Sequence, residues 1–272
     1  MKTIQLLALL VTATLASCGN PNPETTETNE TPESVANERE FYQLKVYSFS
    51  SEDQVAATDN YLQNAFIPAV KKQGIDKVGV FKFRTNEKDT VQRTYVLLPF
   101  KSMEDFLALD NKLSEDAEYA VAGSAYLNAA YDNAPYDRIE STLMQAFTDM
   151  PMMQVPNLDS PRAERIYELR SYESPTEKLY VNKVDMFNAG GEVKLFDRLN
   201  FNAVFYGEVL SGAHMPNLIY MTTHADMATR DKNWEAFVDS PEWKEMSALP
   251  KYQNNVSHAD IWFLYPTNYS DY

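Results

Sequence analysis

The chain has 272 residues, of which 39 are acidic and 24 basic, so its formal net charge at pH 7 is −15. This charge and the lack of any Lys/Arg cluster in the sequence exclude nucleic acid as a partner, because phosphate binding requires concentrated positive charge. They also argue against electrostatic docking on an anionic membrane surface.

The first 17 residues are predicted to be a signal peptide. Met1-Lys2 is a short basic start, and an apolar or small-residue stretch follows and ends at Leu15-Ala16-Ser17. That stretch is too short to span a bilayer, which takes roughly 20 residues. Cys18 comes next and is the only cysteine, so no intramolecular disulfide can form.

The position of Cys18 after Leu-Ala-Ser resembles a bacterial lipobox. The resemblance implies cleavage before Cys18 and attachment of diacylglycerol to its sulfur, and more than one acyl chain makes a stable anchor in a lipid bilayer. Gly19 lacks the acidic signal for inner-membrane retention, so we expect an outer-membrane site in the cell envelope, on the periplasmic or the surface face. The alternative is ordinary secretion with Cys18 unmodified.

Residues 18–40 are predicted to be the lipidated cysteine and a disordered tether. The segment is rich in Asn, Pro, Thr and Glu, and Val35 is its only large aliphatic residue. Such a composition buries too little apolar surface to offset the entropy of ordering. A flexible coil of about 20 residues reaches roughly 25 Å, which would hold a folded domain just clear of a membrane.

Residues 41–149 predict a first folded unit. Apolar patterns predict strands at 41–49, 75–83, 94–100 and 138–147. A helix is predicted over about 52–73, where Pro68 should kink or split it, and a second helix begins after Ser102. The resulting order, β-α-β-β-α-β, is the ferredoxin-like pattern.

A proline-containing linker at 150–163 leads to a second unit, 164–272, with the same order. Strands are predicted at 165–172, 203–209, 218–223 and 260–265. Ser174 is predicted to cap the first helix, Gly190-Gly191 to interrupt it, and Trp234, Phe237 and Val238 to lie on the last main helix.

The two units match at an offset of 125 residues. The offset relates Phe41–Tyr47 to Ile166–Tyr172, Lys45 to Arg170, Val80 to Phe205, Phe81 to Tyr206, Tyr95 to Tyr220 and Ile139 to Leu264. We interpret this as a tandem duplication.

Each sheet has helices on one face only, and its other face is apolar. Exposing Tyr95, Leu97, Phe263 and Tyr265 would cost about 25 cal/mol per Å². The predicted fold class is therefore α+β, with two tandem ferredoxin-like units packed sheet to sheet as an intrachain dimeric α/β barrel.

Several stretches resemble the NIPSNAP family of the dimeric α/β-barrel superfamily. They are 66–75 and 78–81 in the first unit, and 192–196, 205–208, 215–220 and 234–237 in the second. The resemblance spans roughly residues 40–266 and is strongest in the second unit. It implies the barrel fold but no catalytic residue set. The lipobox departs from the eukaryotic members, which are associated with vesicle, mitochondrial and stress-related roles.

The histidines predict neither a metal site nor a cofactor. His214, His224 and His258 have no second ligand at helical spacing. Related barrels bind haem through a helix-borne histidine, but these three are expected in a loop, at a strand end and before a strand. Haem remains a minor alternative. His258 and Asp260 should share a strand face, and a surface hydrogen bond is favoured there over an acid–base pair.

Polar residues on the first strand of each unit suggest a ligand pocket with an aromatic wall. Gln43 and Lys45 match Glu168 and Arg170 and are expected to face inward or lie at the barrel rim. The pocket candidates are Lys45, Glu168, Arg170, Tyr172, Tyr206, Glu208, His214 and Tyr220. The alternative is a network of polar side chains that only satisfies each other's hydrogen bonds where the two sheets meet.

The predicted function is non-catalytic binding of a protein partner or a small apolar ligand by a membrane-anchored protein. The alternative is a cofactor-free monooxygenase-like or haem-dependent enzyme on the same barrel. A third reading is structural self-assembly into a homo-oligomer.

Overall fold

The computed structural model describes residues 39–272, so the predicted signal peptide, Cys18 and nearly all of the tether lie outside the described residues. The strands are β1 (Phe41–Phe49), β2 (Gly79–Phe83), β3 (Gln92–Phe100), β4 (Arg138–Ala146), β5 (Ile166–Glu173), β6 (Phe205–Ser211), β7 (Asn217–His224) and β8 (His258–Pro266). The helices are α1 (Glu52–Tyr61), α2 (Ile67–Lys72), α3 (Met103–Ser114), α4 (Ala117–Ala122), α5 (Ser124–Leu127), α6 (Glu177–Phe187), α7 (Glu192–Arg198), α8 (Met227–Asp239) and α9 (Pro241–Ala248).

The strands close into one barrel in the order β1-β3-β2-β8-β5-β7-β6-β4. Each half has the strand order of a ferredoxin-like sheet, which confirms the predicted fold class and tandem architecture. The two sheets join by antiparallel pairing of β2 with β8 and of β4 with β6. This closure pairs the edge strands that an isolated sheet would leave open.

The barrel interior is filled by apolar side chains. It includes Tyr42, Leu44, Phe81, Tyr95, Leu97, Met144, Tyr167, Leu169, Phe205 and Leu264. Tyr95 and Leu97 face inward as predicted, but the expectation for Phe263 and Tyr265 is wrong. Side chains alternate along a strand, and in β8 it is Leu264 that faces the barrel interior. Trp262, two residues before it, packs against the same core.

Two further apolar layers lie between the sheets and their helices. Helices α1 to α5 cover the first sheet over a core that includes Phe66, Val96 and Leu109. Helices α6 to α9 cover the second over an aromatic core that includes Phe187 and Phe196. Among residues 39–272, every helix is too short or too polar to cross a bilayer.

The predicted helix breaks occur, with one correction at a cap. A π-helical turn at Leu62–Phe66, just before Pro68, separates α1 from α2. Gly191 ends the break between α6 and α7 with φ +93°, a conformation that favours glycine. The N-cap of α6 is Thr176, whose hydroxyl accepts from the Leu179 amide, and not Ser174. The Ser174 amide donates to the Pro216 carbonyl instead, outside the helix.

The constant offset of 125 residues holds only for β1 and β5. Leu44 and Leu169 both face the barrel interior there. Four other predicted pairs are wrong, because one member lies inside the barrel and the other lies outside it. They are Val80 with Phe205, Phe81 with Tyr206, Tyr95 with Tyr220 and Ile139 with Leu264. The loops within the corresponding hairpins differ in length, with residues 84–91 in the first unit and residues 212–216 in the second. A shift of the alignment by one residue places every side chain of a strand on the opposite face of the sheet.

Candidate functional site

The polar residues of β5 point away from the barrel interior. Tyr167 and Leu169 face inward, so Glu168, Arg170 and Tyr172 face the helices of the second unit. The expectation that these residues face inward is therefore wrong. The physical reason is that the apolar row of β5 fills the barrel, which leaves the polar row to the sheet–helix layer.

Glu168 is the centre of this layer, with a carboxylate that is fully buried. Arg230 on α8 donates from Nε to Oε2 at 2.9 Å and from Nη2 to Oε1 at 2.7 Å. Arg170 donates from Nε and Nη2 to Oε1 at 2.8 and 2.5 Å. The Trp234 indole Nε1 donates to Oε2 at 2.9 Å. Five hydrogen bonds thus saturate the carboxylate.

These partners keep Glu168 ionised. Burial alone would raise the pKa of the carboxyl, but the hydrogen bonds from Arg230 and the positive charges of Arg170 and Arg230 outweigh burial and lower it. A saturated carboxylate with a lowered pKa is poorly suited to proton transfer, because a general base needs a pKa near the working pH and a free lone pair.

Arg170 links the carboxylate to the predicted aromatic wall. Its guanidinium carbon lies 3.8 Å from the centre of the Trp234 ring, and its Nη1 donates to the Tyr172 hydroxyl at 2.7 Å. The Tyr220 hydroxyl donates to the same oxygen at 2.9 Å, and Tyr206 stacks on Tyr220 with ring centres 5.6 Å apart. Five of the eight pocket candidates therefore form one array, but as packed side chains rather than as the wall of an open cavity.

His224, which ends β7 as predicted, is fully buried next to this array. Asn233 Nδ2 lies 3.2 Å from its Nδ1, and its Nε2 lies 3.8 Å from Glu168 Oε2 without a hydrogen bond. Burial lowers the pKa of the imidazole to about 4, although Glu168 acts in the opposite direction. The ring is therefore neutral at physiological pH.

The other three pocket candidates lie elsewhere. Lys45 is in the first unit with its ammonium 5.2 Å from the centre of the Phe66 ring, and burial lowers its pKa. Glu208 pairs with Arg39 at 2.7 Å. His214, in the loop between β6 and β7 as predicted, places Nδ1 2.9 Å from Glu173 Oε1.

A second polar cluster lies at the mouth of the barrel. His258 belongs to β8 and does not precede it, and its Nε2 lies 3.1 Å from Asp260 Oδ1, the predicted surface contact. Glu173 of β5 lies directly across from His258. One ligand atom from each of these three residues lies within 4.8 Å of the others. Sequence spacing missed this group because Glu173 comes from a different strand.

A cleft of about 420 Å³ lies beside Tyr206, between the linker and α7. Its lining includes Met150, Val155, Pro156, Val193, Ala203 and Tyr206, with Asp149, Lys194 and Asp197 among its charged residues. A wider and more open groove of about 600 Å³ lies between α7 and α9.

Sequence reasoning missed the two residues that complete the Glu168 cluster. Arg230 was not singled out, and Trp234 was assigned only to packing. A usable signal was present for Trp234, since a buried indole N–H requires an acceptor and Glu168, on a predicted strand of the same unit, offers a carboxylate. Arg230 offered no comparable signal, because a single arginine on a helix is usually solvated.

Comparisons with known proteins agree with this geometry. Residues 167–271 match the NIPSNAP family model. A comparison with curated proteins found no match.

Among solved structures, a candidate monooxygenase of Fusobacterium nucleatum aligns over 85% of this chain and 93% of its own, with 7% identity and a TM-score of 0.52. One from Lactobacillus acidophilus aligns over 84% of this chain and 94% of its own, with 8% identity and a TM-score of 0.53. A NIPSNAP family protein of Agrobacterium tumefaciens aligns over 39% of this chain and 97% of its own, with 18% identity and a TM-score of 0.35.

At such low identity the two full-length alignments show a shared fold and nothing about activity. They support the dimeric α/β barrel over most of the chain. The second unit carries the family signature by sequence. Residues 167–271 therefore match the NIPSNAP family model and form one half of an intrachain dimeric α/β barrel.

Proposed function

We propose that this protein is a lipid-anchored binding protein of the bacterial cell envelope, without catalytic activity or cofactor, that takes a small amphipathic ligand. The observation that carries the proposal is the cleft beside the linker. Its volume of about 420 Å³ falls in the usual range for small-molecule sites, about 300–1,000 Å³.

The lining of the cleft is half apolar and half polar, since Gln154, Asn157 and Asn202 add to its three charged residues, and it suits a small amphipathic ligand. Met150, Val193 and Tyr206 are nearly fully buried and supply apolar surface. Lys194 lies at its edge with Nζ 3.2 Å from Asp149 Oδ2, and its side chain is 76% exposed. Apolar surface combined with polar groups is typical of ligand sites, and the exposed lysine is placed to contact a polar or anionic end of the ligand.

The chemistry of the sheet–helix layer supports binding rather than catalysis. Glu168 has its lone pairs occupied by five donors, and His224 is neutral and enclosed. Neither group is free to exchange protons with a substrate, so this buried cluster serves the fold.

Ligand binding can be tested with N-phenyl-1-naphthylamine, an uncharged dye that fluoresces in apolar sites. We would use the full chain carrying Cys18→Ser, so that neither acyl chains nor detergent compete for the dye. We expect saturable binding that weakens at least tenfold on Ala203→Trp, which fills the cleft. Val181→Trp, at an exposed position on α6, is the matched control. Unchanged binding by the Ala203→Trp protein would overturn the cleft as the site.

Membrane anchoring has a separate test. The proposal rests on the lipobox-like Leu15-Ala16-Ser17-Cys18 and the polar tether after it. We expect the wild-type protein in the outer-membrane fraction with an acylated N-terminal peptide by mass spectrometry, and the Cys18→Ser protein in the soluble fraction. An unmodified Cys18 in a soluble wild-type protein would establish ordinary secretion.

The alternative is an enzyme, and two structural neighbours are themselves candidate monooxygenases. Haem fits the histidines poorly, because His214 is in a loop, His224 and His258 are in strands, and His224 is fully buried against the Phe201 ring. We expect no Soret absorption from the purified protein. A Soret band, or a turnover abolished by His214→Ala or His258→Ala, would establish the enzymatic alternative.

A further inference from the structure

We infer that the mouth of the barrel binds a divalent transition-metal ion through Glu173, His258 and Asp260. This site is separate from the cleft beside the linker and does not depend on the proposed ligand binding. The ion would be held by one imidazole nitrogen and two carboxylates, with His214 supporting one of the carboxylates.

Strand pairing brings the three donors together. Glu173 on β5 lies directly opposite His258 on β8, and Asp260 is two residues further along the same strand face. One donor atom from each lies within 4.8 Å of the other two. Donors around one Zn²⁺ ion at about 2.0–2.2 Å stand roughly 3 to 3.5 Å apart, so small side-chain rotations would complete the coordination.

The backbone holds this end of the two strands in place. Both the amide and the hydroxyl of Ser257 donate to the Glu173 carbonyl, at 2.8 and 3.2 Å. The ladder from Tyr167 to Glu173 pairs with Leu264 to His258 without interruption. Donors on paired strands are positioned more accurately than donors on loops, which favours a built site over a chance surface contact.

The surroundings supply outer partners for the ligands. His214 Nδ1 lies 2.9 Å from Glu173 Oε1 and would orient that carboxylate. Asn217 lies directly opposite Glu173 on the other side of β5 and is 3% exposed. Its Nδ2 donates to Ser171 Oγ at 2.9 Å, while its Oδ1 has no hydrogen-bond partner among the described residues.

The unpaired amide oxygen is a second indication of a ligand at this place. A buried acceptor without a donor is unfavourable, and native proteins rarely tolerate one. Asn217 and Glu173 lie side by side on the inward face of the barrel, and a water molecule bound to an ion at Glu173 would supply a donor close to this oxygen.

The donor set selects the class of ion. Imidazole suits Zn²⁺, Cu²⁺, Fe²⁺ and Ni²⁺, whereas Ca²⁺ and Mg²⁺ prefer oxygen donors alone. Two carboxylates balance the charge of one divalent ion. Since two of the three ligands are partly buried and His258 is exposed, the ion would have open coordination positions toward solvent.

The test is binding of Co²⁺ and Zn²⁺ to the purified full chain. We expect one equivalent of Co²⁺ with a visible d–d absorption band, and its displacement by Zn²⁺ but not by equal concentrations of Ca²⁺ or Mg²⁺. His258→Ala and Asp260→Asn should each weaken binding at least tenfold, and His214→Ala should weaken it about tenfold. The control is Glu235→Gln, an exposed carboxylate on α8.

Three results would overturn the inference. They are no stoichiometric binding, binding that His258→Ala and Asp260→Asn leave unchanged, and displacement of Co²⁺ by Ca²⁺ as readily as by Zn²⁺. Circular dichroism of each variant shows whether the fold is retained, and Asp260→Asn, nearly isosteric with the native residue, keeps the test decisive if His258→Ala alters the strand.

Discussion

Lys183 and Glu192 form a buried ion pair across the break between α6 and α7, with Nζ 2.8 Å from Oε2. Both residues are nearly fully buried, and the ammonium also lies 4.5 Å from the centre of the Phe187 ring. The pair thus joins two helices that Gly190 and Gly191 separate, and it does so next to the aromatic core of the second unit.

Removing one partner of this pair should be costly. Lys183→Met leaves the Glu192 carboxylate buried without its counter-ion, so we expect the free energy of unfolding to fall by about 3–5 kcal/mol. The double variant Lys183→Met/Glu192→Leu should lose much less, because apolar side chains can replace a buried pair. Urea unfolding of the two single variants and the double variant measures this, and additive losses would contradict the coupling.

Glu168 should be as sensitive to substitution as Lys183. Glu168→Ala would leave Arg170 and Arg230 facing each other in a buried layer, and we expect a loss of about 3–5 kcal/mol in the free energy of unfolding. Glu235→Ala, on the exposed side of α8, should change it by no more than about 0.5 kcal/mol. Similar losses for both variants would mean that the arginines find other partners.

Stability should fall between pH 6.5 and pH 4 because of His224. The folded-state pKa of about 4 lies below the ordinary value of 6.5, so the unfolded state binds the extra proton in this range. The contribution, about 3 kcal/mol from 1.36 kcal/mol per pKa unit, is therefore fully present above pH 6.5 and lost as the pH falls to 4.

Urea unfolding at pH 7.5, 6 and 5 checks this expectation. His224→Gln removes the titrating group and should flatten the pH dependence between 6.5 and 5, where most carboxylates remain ionised. An equally steep dependence in the His224→Gln protein would assign the titration to another group.

The inward positions of β1 and β5 should be energetically equivalent. Leu44 and Leu169 occupy matching places in the duplicated halves and are 3% and 1% exposed. We expect Leu44→Ala and Leu169→Ala each to cost about 2–5 kcal/mol, as large-to-small changes in a packed core do. Urea unfolding of both variants measures this. A large loss in the free energy of unfolding for only one variant would show that the two halves pack unequally around the barrel.

The duplication and the barrel were predictable from the sequence because strand alternation and helix caps are local properties. The repeated Tyr-x-Leu pattern of residues 42–44 and 167–169 marks the same strand in both halves. The exact correspondence of the other strands was not predictable, because loops of different length shift the alignment between the two halves. A single constant offset cannot represent such a shift.

Glu168 and Leu169 had to lie on opposite faces of one strand, because side chains alternate with period two. Which of these faces lies inside the barrel depends on how the strand packs against the seven others, and this follows from the folded structure alone. The folded structure also brings Arg230 and Trp234 to Glu168 from α8, and Glu173 to His258 and Asp260 at the barrel mouth. These contacts join residues that are far apart in the chain. The sequence separation of such residues does not indicate which strands and helices pack together.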